Sequence, residues 1–459
     1  MDSRSDQPTP DQPAPAPVAA DPMAIVRSRG YLRALLLAGL IGVPVSAVAY
    51  GFLALVSWLQ AFLFTDLPGI LGFVTVPIWW PLPLLALSGL LVALSIRFLP
   101  GNSGHSPSEG FKTGTPARPA ELPGIVLAAL ATLSLGAVLG PEAPLIALGG
   151  GLGALAITLI KKDSPPNAVA LIASAGSFAA ISALLGSPLL GAFLLMEASG
   201  LGGALLGVGL LPGLLAAGIG SLVFVGLDAW TGLGTFSLAI PNLPAFNTPT
   251  VAMLLWAVVL GLACPLLAWA ISAVARAARP LVHAHRLIVT PLLGLLIAAL
   301  AILFAQTTGK DASQVLFSGQ PAPPALISDA ASWSLGALVL LIACKALAYA
   351  LSLSAFRGGP VFPGMFIGAA VGIMASHLPG MSLVPAVGIG IGAMSVSMLK
   401  LPLTSVLLAT VLLSTDALAV MPLVIVAVVV AFVTTSRLPE PRLGTRLGRA
   451  ASPTVTPGL

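Results

Sequence analysis

Charge is what this chain has least of. Asp, Glu, Lys and Arg make up 8% of its 459 residues, against about 25% in soluble domains. That scarcity excludes a soluble globular protein. Cysteine is almost absent too: Cys264 and Cys344 both fall within apolar runs and fit no disulfide framework or metal spacing. The four histidines, His105, His283, His285 and His377, are too few and too scattered for an intramembrane hydrolase. Such an enzyme needs a Ser/His pair, paired aspartates or an HExxH helix. The chain is therefore read as no enzyme, with no cofactor and no metal site. The formal net charge of +5 sits mostly in two flanks, Arg27, Arg29 and Arg33 before the first apolar run and Arg437, Arg442, Arg446 and Arg449 after the last. By the positive-inside rule these flanks place both termini in the cytoplasm. They report orientation and leave no basic surface for a nucleic acid.

What is abundant is apolar sequence. Hydrophobic residues are 57% of the chain, and nearly every long window from Tyr31 to Val433 could supply the roughly 20 residues that span a bilayer. This is a multi-pass membrane protein of all-α class, expected in the cell (inner) membrane. The candidate spans include 33–60, 70–98, 188–210, 211–227, 363–378, 383–398 and 402–414. Several are too short to cross straight, and irregular backbone at membrane depth must be covered by protein or line a wet cavity. Residues 1–25 form a Pro-rich tail expected to be disordered. Residues 26–436 form the membrane domain, in halves of about 26–227 and 248–436. Residues 437–459 form a short basic tail with no room for a regulatory domain.

The two halves share a pattern. Gly140-Pro141-Glu142-Ala143-Pro144 is followed by Gly149, and Gly359-Pro360-Val361-Phe362-Pro363 by Gly368. About forty residues after each come Ser187-Pro188-Leu189-Leu190 and Leu401-Pro402-Leu403-Thr404. Matched Gly/Pro breaks in hydrophobic sequence point to a transport site built from broken helices. Few charges lie between them: Glu142, Glu197, Lys345, Lys400 and Asp416, with Arg357 just before the second break. Lys400 and Asp416 lie near span ends, where they can reach water. Glu142 stands at the expected first turn of a helix, where free N–H groups attract an anion. It can fold back onto that end or be displaced by a dissolved anion, which is the behaviour of a gate. A third break, Gly101-Asn102-Ser103-Gly104, offers the Ser103 hydroxyl.

These breaks, in this order, resemble the CLC family of chloride channels and proton/chloride exchangers, of the bacterial type without CBS domains. Ser103-Gly104-His105-Ser106-Pro107-Ser108-Glu109-Gly110 resembles a family stretch SGIPEIEG, matching at Ser103, Gly104, Glu109 and Gly110. Gly140 to Pro144 resembles the signature G(K/R)EGP, and Gly359 to Pro363 loosely resembles GxFxP. The resemblance covers about 95–435. It implies an inverted repeat of broken and tilted transmembrane helices, assembled as a homodimer with one pore per subunit in membrane lipid. It implies transport of chloride and other halides, probed at an anion site formed by Ser103, Gly104, Gly140, Pro141, Ala143, Gly359, Pro360, Val361 and Phe362. Glu142 would gate that site and accept protons, and serine at 103 leans toward chloride over nitrate.

Three departures from the family pattern qualify the mechanism. Proline at 141 and 360 removes two backbone donors. The inner proton glutamate is replaced by Ala198, with Glu197 one residue earlier as a substitute, a shift of roughly 100° around a helix. The inner pore tyrosine has no counterpart, because Tyr31, Tyr50 and Tyr349 all lie far from the C-terminus. Proton-coupled antiport is the leading expectation, passive voltage- or pH-gated chloride conduction the alternative. A cation-coupled solute transporter is a more remote reading, since it needs a more polar midplane. If the lost amide at 360 weakens anion binding, Pro360→Ala tightens it, measured by chloride calorimetry on the purified protein; unchanged affinity means the geometry already compensates.

Overall fold

The structure, a computed structural model, describes residues 22–110, 116–199, 204–232, 246, 248–320, 322–413 and 417–440. The first half comprises α1 (Pro22–Val26), α2 (Arg29–Ala61), α3 (Leu67–Ile70), α4 (Pro81–Phe98), α5 (Leu122–Ser134), α6 (Glu142–Ile160), α7 (Pro166–Leu185), α8 (Pro188–Ser199) and α9 (Ala204–Thr231). The second comprises α10 (Val251–Ala284), α11 (Arg286–Thr308), α12 (Ala322–Ser328), α13 (Leu335–Ala355), α14 (Val361–Ser376), α15 (Leu383–Leu399), α16 (Pro402–Leu413) and α17 (Ala417–Arg437). Among the described residues, nine helices are long and apolar enough to cross a membrane, and five apolar helices are shorter. Four of the five short ones, α8, α14, α15 and α16, are segments the Gly/Pro breaks delimit.

Packing repeats from half to half. In the first half α2 lies on α9 and α7, α7 on α6, α8 and α9, and α4 on α5. In the second half α10 lies on α17 and α15, α15 on α14, α16 and α17, and α11 on α13. The α4–α11 pair and the α8–α16 pair join the halves. This is the inverted repeat expected from the sequence. The matched glycines have a physical role in it. A Cβ on Gly149 would lie 2.4 Å from the Gly176 carbonyl oxygen, and one on Gly368 would lie 2.4 Å from that of Gly390. Backbones at α6–α7 and α14–α15 thus touch, as small residues allow in lipid, where packing must drive helix association.

Two boundaries differ from expectation. Pro22–Val26 is a helical turn within the segment 1–25 expected to be disordered, with the Arg27 amide donating to the Met23 carbonyl at 3.0 Å. Proline at a first helical position forfeits no bond. Residues 1–21 lie outside the described residues, as do Asp416 and residues 441–459. The break expected at 210/211 is absent, because Pro212 lies inside α9. Its counterpart α17 likewise contains Pro422; neighbouring helices let membrane helices tolerate such prolines.

Gly390→Val would put side-chain carbon where a Cβ is already only 2.1 Å from the Gly368 carbonyl oxygen. It is expected to cost about 3 kcal/mol or more, read as a lower melting temperature in detergent by size exclusion after heating. Gly336→Ala, with nothing within 4 Å, is expected to be neutral or to gain up to about 1 kcal/mol.

Candidate functional site

The two Gly-Pro breaks meet. The Gly140 amide donates to the Gly359 carbonyl at 2.8 Å, and the Gly359 amide returns a bond to the Gly140 carbonyl at 2.6 Å. This two-bond bridge ties the halves together and points the N-termini of α6 and α14 at one spot. Pro141 and Pro360 are the residues before each helix, and Pro144 and Pro363 are third in it. First-turn N–H groups have no partner within the helix, so these prolines break no helical bond. They do leave few donors: the amides of Glu142 and Ala143 on one side, and of Val361 and Phe362 on the other.

The Glu142 carboxylate fills that spot and is fully buried. Its Oε1 accepts the Phe362 amide at 2.8 Å, and the amides of Val361 and of Glu142 itself also face it. Oε2 is buried with no hydrogen-bond partner among the described residues. A Cβ on Gly140 would lie 2.2 Å from Oε2, and one on Gly359 1.8 Å from it, so a side chain at either position would displace the carboxylate from this spot. The carboxylate therefore occupies a cradle sized for one anionic group, at two helix ends that favour negative charge.

A cavity of 1410 Å³ leads toward this spot. It reaches Ala143, Pro144 and Pro360 and stops short of the buried Glu142 carboxylate. Ser103 and Gly104 line it. Ser103 is buried, sits at φ +55° and has a hydroxyl without a partner. His105 is exposed on the same loop. Nearer the mouth, Arg279 pairs with Glu109, and its Nε donates to His283 at 3.3 Å.

Glu197 is elsewhere. Its Oε1 accepts the Leu403 amide at 2.9 Å, and its Oε2 accepts the Thr404 amide at 2.7 Å and the Thr404 hydroxyl at 2.6 Å. It caps the N-terminus of α16 from the other half. In the first half Ser187 does this locally for α8, accepting the Leu190 amide at 3.3 Å. Leu401 holds the matching place and has no acceptor to offer, so the cap comes from α8.

Tyr349 and Ser352 carried no clear sequence signal, and Lys345 was legible only as a charge within an apolar span. On α13, Lys345, Tyr349 and Ser352 are all completely buried. Lys345 Nζ donates to the carbonyls of Gln314, Leu316 and Phe317 at 3.0, 2.8 and 3.2 Å, and lies 4.4 Å from the centre of the Phe366 ring. Its partners are carbonyls and an aromatic face, with no carboxylate. Tyr349 donates to the Pro360 carbonyl at 2.8 Å. Ser352 accepts the Val138 amide at 3.0 Å. Their spacing (i, i+4, i+7) puts them on one helix face, and that polar stripe in an apolar span was the one available clue. The stripe pins both segments of the Gly140–Gly359 bridge, at Val138 and at Pro360.

The family model described as voltage gated chloride channel matches residues 109–436, beginning after Ser103. The chain is 30% identical over 361 residues to the ion-transport protein YfeO of Salmonella schwarzengrund, covering 76% of this chain and 81% of that protein. It is 29% identical over 364 residues to YfeO of Escherichia fergusonii, covering 77% and 81%. Among solved structures, a slow cyanobacterial Cl⁻/H⁺ antiporter aligns with TM-score 0.71 at 19% identity, over 90% of this chain and 96% of that one. A CLC-type fluoride/proton antiporter aligns with TM-score 0.62 at 19% identity, over 91% and 98%. These two likenesses establish the shared fold.

Glu197→Ala leaves three donors at the start of α16 without their acceptor. It is expected to destabilise the protein by about 1–2 kcal/mol, and Thr404→Val, which removes the hydroxyl donor alone, by less. Thermal melts of the two variants in detergent check the order.

Proposed function

The chain belongs to the voltage gated chloride channel family, and from that premise we propose that it carries chloride and related halides across the membrane, gated by Glu142. The observation that supports this most directly is the carboxylate itself. It is buried between two helix N-termini and bonded to the Phe362 amide, where a permeating anion would have to sit. In this reading the carboxylate and the anion compete for one cradle. Protonation neutralises Glu142, weakens its hold on the amides and lets an anion replace it. Proton uptake and anion entry are then linked at a single place, which is the elementary requirement of proton-coupled antiport.

A passive conduction pathway is the second reading, and one observation favours it. All the acceptor sites used by Glu197 serve α16, and the next residue is Ala198. The position thus presents a carboxylate engaged as a helix cap, beside the alanine that stands where the family resemblance places an inner proton glutamate.

Chloride-driven proton movement in proteoliposomes, with the voltage clamped by an ionophore, separates the two. Uphill proton movement supports coupled antiport; chloride flux with no proton movement leaves Glu142 as a gate alone. In either case Glu142→Gln, which cannot titrate, is expected to abolish the pH dependence of anion flux. A pH profile unchanged from wild type removes Glu142 from the gate.

A further inference from the structure

Two residues before the second Gly-Pro break stands a cation with no counter-ion in contact. Arg357 is buried, 8% exposed, and lines the cavity that leads to Glu142. Its backbone amide donates to Thr132 Oγ1 at 3.2 Å, which fixes where the side chain starts. Nε and Nη2 both donate to the Asn102 carbonyl, at 3.3 and 3.2 Å, and Nη1 donates to the Phe356 carbonyl at 3.2 Å. A guanidinium has five N–H donors and stays protonated in proteins. Three are used, so one remains on each Nη, and both belong to a group that faces the cavity. Among the described residues the one ion pair is Arg279–Glu109, so no carboxylate neutralises Arg357 by direct contact. A buried, uncompensated charge is costly, and such charges at membrane depth mark ion pathways.

What surrounds Arg357 fits an anion. Ser103, next to the Asn102 carbonyl that Arg357 holds, has its own buried hydroxyl unpartnered and lines the same cavity. Arg97, Arg118, Arg279 and Arg286 outnumber Glu109 and Glu121 around it, so the cavity draws in negative ions and repels positive ones. The fork that remains on Arg357 is held rigid by the three carbonyl contacts, so little entropy is lost when it binds.

We propose that Arg357 is an anion ligand: the free Nη1 and Nη2 donors of its guanidinium hold a halide in the cavity, beside Ser103, one step before the place occupied by Glu142. The proposal deepens the anion-transport reading and rests on it. It supplies donors on the cavity side of a pathway whose Pro141 and Pro360 have removed two amides. A purely structural Arg357 would hold the Gly101–Gly104 turn and nothing more. That turn needs holding, because all four residues have positive φ, 75°, 51°, 55° and 86°, including non-glycine Asn102 and Ser103.

The deciding experiment is anomalous diffraction from crystals of the wild-type protein soaked in sodium bromide. A bromide peak at hydrogen-bond distance from Nη1 and Nη2 is expected; a guanidinium with no bromide under these conditions overturns the proposal. Arg357→Lys, which keeps the charge and loses the fork, gives a second readout. Bromide affinity by calorimetry in detergent is expected to fall about tenfold, alongside a modest drop in melting temperature from the lost carbonyl bonds. A lower melting temperature with unchanged affinity means a structural clamp and overturns the proposal. If the lysine variant does not fold, the wild-type diffraction decides alone. Wild-type proteoliposomes that carry no halide, while the bromide peak is present, would sink the transport reading and leave the site standing.

Discussion

A carboxylate in the middle of an apolar bundle must be given hydrogen-bond donors or be neutralised, because desolvation of an unpaired charge costs several kcal/mol. The structure around Glu142 answers that constraint. Donors come from the ends of two helices that belong to different halves, and those ends can converge only because both chains break at a Gly-Pro pair. The bridge between Gly140 and Gly359 then sets their separation. Absence of a Cβ at both glycines makes room for the carboxylate. Tyr349 and Ser352 hold the two strands of the bridge from α13. Each of these features is hard to explain without the charge they surround.

The scaffold is symmetric and the chemistry is not. Glycine contacts at α6–α7 and α14–α15 match closely, yet α6 opens on Glu142 and α14 on Val361. Two facing carboxylates in one cradle would repel, and one of them would be held protonated. A single carboxylate leaves the opposing amides free to donate to it. The same division appears at the other pair of short helices, α8 and α16. Ser187 caps α8 within its own half, and Glu197 on α8 caps α16 across the boundary. Duplication supplies a frame, and the side chains that differ between the copies connect the two halves and carry the charge.

How much of this was legible in the sequence followed from whether a feature is local. The Gly-Pro breaks, the short helices they bound and the burial of Glu142 are local consequences of backbone sterics and of membrane solvation, and the sequence displays them directly. Glu197 as a cap on α16 was not legible, because its partners lie more than two hundred residues away. Lys345, Tyr349 and Arg357 have backbone carbonyls as partners, and a carbonyl leaves no trace in residue identity. The boundary placed at 210/211 was not borne out, because Pro212 sits within α9, where neighbouring helices let a membrane helix tolerate a proline. Tyr349 was set aside for its distance in sequence from the C-terminus, whereas the fold brings its hydroxyl to Pro360.

The prolines bear on how tightly any anion can be held. Four of them, at 141, 144, 360 and 363, stand at the two helix ends, and each removes an N–H from the electropositive region. What remains is a small set of amides, and the carboxylate uses Phe362 as its bonded donor. A site rich in amides would hold its own carboxylate so firmly that an anion could not displace it. Conduction and exchange both require binding weak enough to be reversed. In the proposed mechanism a sparse set of donors would lower the hold on the resident carboxylate and on an incoming anion together, and so keep the two in competition. In the same proposal the electropositive character lost at the cradle would be supplied from the cavity side by arginines, where it would attract an anion without strengthening the grip on Glu142. Charge near the entrance and few amides at the centre therefore act in the same direction.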